Sequence, residues 1–172
     1  LNRTSAMVGE AGFNLELTGS NFVPGSVARW DSTDLATTFV NGTLLRAAVP
    51  ASLLTTAGTF NVTVFNPTPG GGNSSAQVFT VNNPTPTLSS ISPTTAIAHR
   101  SVTLTANGAN FNRSSVIRWG GVALPTTYVS ATRLTCEVTA DVLSVPGTVA
   151  VTVFNPAPGG GASQPARGEP VA

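Results

Sequence analysis

Few residues in this sequence are equipped for catalysis. His99 is the sole histidine and Cys136 the sole cysteine, so a triad or metal hydrolase would have to be built around one proton carrier or one thiolate. His99 stands in Ala98-His99-Arg100, leading into a strand-like run, and no serine or carboxylate near it is set out as a nucleophile motif; it reads as an exposed loop residue. Asp31 and Asp34 lie three apart in a turn after Trp30. Two carboxylates at that spacing could share a proton or hold a weak Ca²⁺ site with backbone carbonyls, but no Glu or Asn framework accompanies them, and turn decoration is the simpler reading. Gly70-Gly71-Gly72 and Gly159-Gly160-Gly161 lack the Lys-Ser/Thr ending of a phosphate loop and no helix-forming run follows, which leaves them as turns. No catalytic residue, metal ligand set or cofactor is expected, and the chain is not read as an enzyme.

Recognition chemistry is left to the aromatic residues. A sugar-stacking platform needs two or three exposed, roughly coplanar rings, whereas Phe13, Phe22, Phe39, Phe60 and Phe111 occupy apolar positions of strand-like runs and read as core. Trp30 and Trp119 each follow an arginine, Arg29 and Arg118, at a strand end nearing solvent. Packing over the core edge is the leading reading for both, and a contact surface is the alternative. Phe65 and Phe154 fall on the opposite strand face from Val62 and Val151 and must find cover elsewhere, which makes them candidates for an interdomain contact.

The elements that position these residues come in duplicate. Arg29-Trp30 reappears as Arg118-Trp119, and the offset of 89 residues then holds without a gap from Phe13–Gly72 to Val102–Gly161, with 29 identities in 60 positions. A repeat of that length is too long for a solenoid unit and suits an independently folding sandwich. Two domains are expected, residues 1–83 and 84–172, joined through Asn82-Asn83-Pro84-Thr85-Pro86-Thr87, where alternating prolines favour a semi-rigid, extended connection. The chain is 41% hydrophobic but only 9% charged, has no lysine, and is otherwise rich in Thr, Ser, Asn, Gly and Pro. That composition favours strands and turns over helices.

Within copy two, strands are expected at residues 88–91, 102–106, 115–119, 126–129, 133–138 and 148–154. Alternation is clearest where Val149, Val151 and Val153 share a face, as Phe60, Val62 and Val64 do in copy one. The copies differ at their ends. Leu88-Ser89-Ser90-Ile91-Ser92-Pro93 has almost no counterpart before Thr4, so copy one is expected to lack its first strand. The strand at 77–81 aligns with Ala166-Arg167-Gly168-Glu169-Pro170, whose proline and lost alternation make a closing strand in copy two doubtful. Cys136 aligns with Ala47 and reads as a small, inert core residue, a reactive thiol being the alternative.

Ile91-Ser92-Pro93, Gly19-Ser20-Asn21-Phe22 and Val62-Thr63-Val64-Phe65-Asn66-Pro67, followed by Pro69-Gly70-Gly71-Gly72, together resemble the IPT/TIG family of immunoglobulin-like domains. The resemblance spans nearly the whole chain, twice, and implies an all-β fold of two tandem immunoglobulin-like sandwiches. It also implies a module: in bacterial adhesins and surface receptors, as an accessory domain of polysaccharide-degrading enzymes, or in DNA-binding transcription factors. A net charge of +1 with scattered arginines offers nothing to track phosphates, so nucleic acid is not an expected partner. No run approaches the 18 or so apolar residues of a membrane-spanning helix, and direct membrane insertion is not expected. The start, Leu1-Asn2-Arg3-Thr4, carries neither an initiator Met nor a signal-peptide pattern, as expected of a piece of a longer protein. Five Asn-x-Ser/Thr sequons, from Asn2 to Asn112, are read as products of composition. The expected role is a non-catalytic secreted or cell-surface spacer or adhesion module, whose partners are neighbouring domains and an extracellular protein or polysaccharide. A carbohydrate-binding accessory module of a secreted enzyme is the alternative.

Overall fold

The computed structural model describes residues 1–167 and divides into two compact units, Leu1–Asn83 and Pro84–Ala172. Unit 1 contains β1 (Ser5–Met7), β2 (Phe13–Thr18), β3 (Val27–Trp30), β4 (Thr33–Asp34), β5 (Ala36–Asn41), β6 (Leu44–Val49), β7 (Gly58–Asn66), β8 (Gly72–Asn73) and β9 (Gln77–Asn82). Unit 2 contains β10 (Thr87–Ser92), β11 (Val102–Ala109), β12 (Val116–Trp119), β13 (Val122–Ala123), β14 (Thr126–Ser130), β15 (Arg133–Val138), β16 (Ala150–Asn155), β17 (Gly161–Ala162) and β18 (Ala166–Arg167). Among the described residues there is no α-helix, only a 3₁₀ turn at Ala51–Leu54.

Each unit is a sandwich. In unit 1 the sheet β1-β9-β7-β3-β4, with β8 on β7, faces the sheet β2-β6-β5; in unit 2 the sheet β13-β12-β16-β17, with β18 on β16, faces β10-β11-β15-β14. Period-two alternation does the sorting, since successive side chains of a strand point to opposite faces. Leu45, Ala47 and Val49 of β6 are buried, as are their counterparts Leu134, Cys136 and Val138 of β15. On β7 and β16, Val62, Val64, Val151 and Val153 face inward. The six strands expected in copy two correspond to β10, β11, β12, β14, β15 and β16.

As expected, no counterpart of β10 lies on β2 among the described residues, and the sheet β2-β6-β5 has one strand fewer than β10-β11-β15-β14; the first strand present, β1, lies parallel to β9 in the other sheet, with Ser5 opposite Thr80 and Met7 opposite Asn82. One expectation about strand ends needs correction. In copy two, Ala166 and Arg167 pair with Val151 and Ala150, so a closing strand begins where the alignment made one doubtful; the rest of that segment, 168–172, lies outside the described residues.

The cores differ in kind. Unit 1 is aromatic: Trp30 lies 5.0 Å from Phe79 and 5.1 Å from Phe60, centroid to centroid, and Phe13 stacks on Phe79 at 5.9 Å. In unit 2 the positions of Phe13 and Phe60 are held by Val102 and Val149. The core there is aliphatic, built on Leu104, Ile117, Leu134, Val138, Val151 and Val153, with Trp119 packed at its margin.

Candidate functional site

The Asn-Pro motif is the centre of a polar staple present in both units. Asn66 ends β7 and Asn155 ends β16. Ser26 Oγ donates to Asn66 Oδ1 at 2.6 Å and accepts from the Val23 N–H; Ser115 Oγ donates to Asn155 Oδ1 at 2.6 Å and accepts from the Asn112 N–H. Asn66 Nδ2 donates to Asn21 O at 2.7 Å, and Asn155 Nδ2 to Asn110 O at 2.9 Å. Asn21 and Asn110 sit at φ 60° and 63°, a left-handed conformation that asparagine tolerates better than most residues. The Gly-x-Asn-Phe loop is thereby fastened to the turn before the glycine run. Glycine is required in that run, because a Cβ on Gly71 or Gly160 would stand 2.1 or 2.3 Å from the carbonyl oxygen of Asn66 or Asn155.

Other duplicated polar residues are committed in the same way. Thr37 and Thr126 each accept from a strand N–H and donate to a leucine carbonyl, linking Ala28 to Leu35 and Ile117 to Leu124. Ser74 and Ser163 accept from Val64 and Val153. Sequence reasoning did not single these residues out, although their recurrence at the 89-residue offset was a usable signal.

The carboxylate pair is structural. Asp31 Oδ1 accepts from the Asn61 N–H at 2.8 Å, and Asp34 Oδ1 accepts from Arg29 Nε at 2.6 Å. No group of three or more His, Cys, Asp or Glu able to hold a metal ion occurs among the described residues. His99 is exposed, at φ 58°, its N–H donating to Leu143 O. Cys136 is buried, and burial pushes its thiol up to about 11, far from a reactive thiolate.

The two tryptophans part company. Trp30 is 2% exposed, clamped by Phe60 and Phe79, so it is core and not a contact surface; Arg29 beside it points to the outer face because neighbours alternate along the strand. Trp30 Nε1–H meets no acceptor among the described residues. Trp119 is half-buried and, without aromatic neighbours, lines a small cavity of about 20 Å³ with Ile91, Thr94, Ala96, Val102 and Val149. The platform of two exposed rings is therefore absent.

Phe65 and Phe154 lie half-buried on the outer faces, where each has a partner in its own unit: the Arg29 guanidinium stands 4.2 Å from the Phe65 centroid and that of Arg118 3.6 Å from the Phe154 centroid. Arg29 is further held by Asp34 and by Asn73 Oδ1 at 3.1 Å. The counterparts of those partners are Ala123 and Ala162, and Arg118 has no ion pair among the described residues.

No helix of the described residues is long and apolar enough to cross a membrane. No curated protein matches the sequence. Among solved structures, the chain is similar to the Yersinia pseudotuberculosis adhesin InvE, at 14% identity and a TM-score of 0.60 over 98% of this chain and 56% of that one. It is also similar to the amphioxus IgVJ-C2 molecule, at 18% identity and a TM-score of 0.46 over 95% and 98% of the two chains. A third is SGBP-B from a complex xyloglucan utilization locus in Bacteroides uniformis, at 20% identity and a TM-score of 0.42 over 94% and 46%. The chain thus spans little more than half of the adhesin and less than half of SGBP-B. The adhesin likeness is one of fold. Sequence identifies the family directly: the IPT/TIG domain pattern matches residues 3–81 and again 86–167, and the chain belongs to the IPT/TIG domain family.

Proposed function

We propose that the chain is a non-catalytic, extracellular or cell-surface pair of modules, acting as a spacer or as an adhesion- or receptor-type binding element in a larger protein. One observation carries the reading. The polar residues common to both copies, Ser26/Ser115, Thr37/Thr126, Asn66/Asn155 and Ser74/Ser163, bond inward to backbone or to one another. A duplicated active site would instead repeat titratable groups facing a cleft, whereas Asp31, Asp34 and His99 have Gly120, Ala123 and Glu10 as counterparts. What the duplication kept is scaffold. The adhesin InvE supports the reading as a fold-level analogy only.

The carbohydrate-module alternative is weakened by the burial of Trp30 and now depends on Trp119 alone, which shares a small cavity with Thr94 and Thr95. The test is retention of the two-unit protein on panels of polysaccharides and extracellular-matrix proteins, with product analysis of every bound target. Saturable retention without turnover supports adhesion, and no retention supports the spacer. A cleaved product whose formation a point mutation abolishes overturns the non-catalytic reading, and sugar retention lost in Trp119→Ala promotes the alternative.

A further inference from the structure

The sequence contains two Asn-Gly pairs, Asn41-Gly42 and Asn107-Gly108, and the fold treats them differently. An asparagine followed by glycine can close on itself, because the next backbone nitrogen can reach the side-chain amide carbon and glycine has no Cβ to crowd the approach. Asn41-Gly42 stands at the tip of the β5–β6 hairpin, where Asn41, Gly42 and Thr43 are all exposed. Gly42 N–H has no acceptor among the described residues. The equivalent tip of unit 2, Ser130-Ala131-Thr132, offers no amide. Ala131 and Thr132 are exposed there too, with β10 in place on the same sheet, so access to the tip does not depend on that sheet edge.

The side-chain oxygen of Asn41 is held as the reaction would need it. Thr43 donates to Asn41 Oδ1 twice, from its N–H at 2.9 Å and from Oγ1 at 2.8 Å. Attack on Cγ turns that oxygen into an oxyanion, and two donors at these distances are already aimed at it. They also restrict the side chain before attack begins.

Two other asparagines separate these ingredients. Asn107-Gly108 has the glycine without the clasp: both residues lie within β11 between β10 and β15, Gly108 N–H donates to Thr132 O at 3.0 Å, and Asn107 Nδ2 donates to Ser90 Oγ at 3.3 Å. Asn112 has the clasp without the glycine. Ser114 donates to Asn112 Oδ1 from its N–H at 2.9 Å and from Oγ at 2.6 Å, but the residue between them is Arg113, whose side chain crowds the attacking nitrogen. Asn41 combines the two.

We propose that Asn41-Gly42 is a self-modification site. Gly42 N–H gives its proton to hydroxide, the nitrogen bonds to Asn41 Cγ, and Nδ2, taking a proton from water, leaves as ammonia, closing a cyclic imide. Water then opens the ring at either carbonyl, leaving aspartate or isoaspartate at position 41. The product falls on a tip that supports the fold, since Phe22 N–H donates to Gly42 O and Gly19 N–H to Thr43 O, each at 3.0 Å. Isoaspartate adds a carbon to the main chain there. The mark has no equivalent at the unit 2 tip and loosens the hold of unit 1 on its Gly19–Phe22 loop.

The full chain, incubated at mildly alkaline pH and sampled over time, is mapped by mass spectrometry of its proteolytic fragments, with an isoaspartate methyltransferase identifying the isoaspartate. Asn41 should convert roughly tenfold faster than Asn107 or Asn112 in the folded chain, while in urea Asn107 should rise to match Asn41. Thr43→Val should slow Asn41 about tenfold relative to the same variant in urea, the worth of one hydrogen bond to a developing charge, and Thr43→Ser should restore the rate. No conversion at Asn41, equal rates at Asn41 and Asn107 in the folded chain, or a Thr43→Val variant that converts as fast as the parent or faster, overturns the proposal.

Discussion

Ser115 Oγ donates to Asn155 Oδ1 at 2.6 Å, and 89 residues earlier Ser26 Oγ meets Asn66 Oδ1 at the same distance. Asn155 is fully buried, and its Nδ2 donates to both Pro84 O and Asn110 O. Asn155→Ala would take the side-chain donor from those carbonyls and the acceptor from the Ser115 O–H in a low-dielectric site. The expected cost is about 2–4 kcal/mol for unit 2. Asn66→Ala should cost less in unit 1, because Asn66 is half-buried and makes one fewer bond. Urea denaturation of the two variants checks the order.

The unlike settings of the tryptophans make a spectroscopic prediction. Trp30 sits in a dry aromatic cluster and Trp119 at a margin, so acrylamide should quench the folded protein as two populations, with Trp119→Phe removing the accessible one. Trp30→Ala should destabilise unit 1 by about 3–5 kcal/mol, enough to threaten a small domain. Trp30→Phe should be far milder, since it keeps most of the ring contact and deletes a buried N–H that has no acceptor.

Cys136 gives a pH dependence with a definite sign. Burial raises its thiol from 9.0 to about 11, so the folded state favours the neutral thiol and the unfolded chain ionises first. Stability from this residue is complete below pH 9 and declines as pH rises from 9 towards 11. A thiol reagent at pH 8 should label Cys136 only as unit 2 opens, and Cys136→Ala, matching Ala47, should abolish both the labelling and the alkaline decline attributable to the thiol.

Arg3 and Glu10 form an exposed clasp over β1, with Arg3 Nη2 donating to Glu10 Oε2 at 2.7 Å and the Met7 N–H to the same oxygen at 3.0 Å. The Arg3 guanidinium, helped by that N–H, holds the Glu10 carboxyl below its usual value of 4.5. Its contribution is present above pH 4.5 and lost as pH falls below it. Both side chains are about one-third exposed, so Glu10→Gln should shift stability by less than about 1 kcal/mol and increase amide exchange mainly in β1.

Much of this was legible from pattern alone. Strict alternation at Val149, Val151 and Val153, and the gapless repeat around Arg-Trp, carry the sandwiches because sheet faces sort side chains by period two. For Trp30 the sequence left packing and a contact surface both open because an adjacent Arg29 marks only that the next side chain points outward, while the clamp on Trp30 comes from Phe60 and Phe79 on β7 and β9. β1 escaped notice because three residues, Ser5-Ala6-Met7, carry no readable alternation; its pairing with β9 is tertiary. The Asn–Ser staple joins residues 40 apart, a distance across which spacing rules are silent.

Each copy builds its own core, aromatic in one and aliphatic in the other. Residues 1–83 and 84–172, prepared separately, should each give a β-type circular dichroism spectrum and one cooperative melt, unit 1 showing the near-ultraviolet signal of packed Trp30. A featureless spectrum from either piece under conditions where the whole chain is folded would contradict the account.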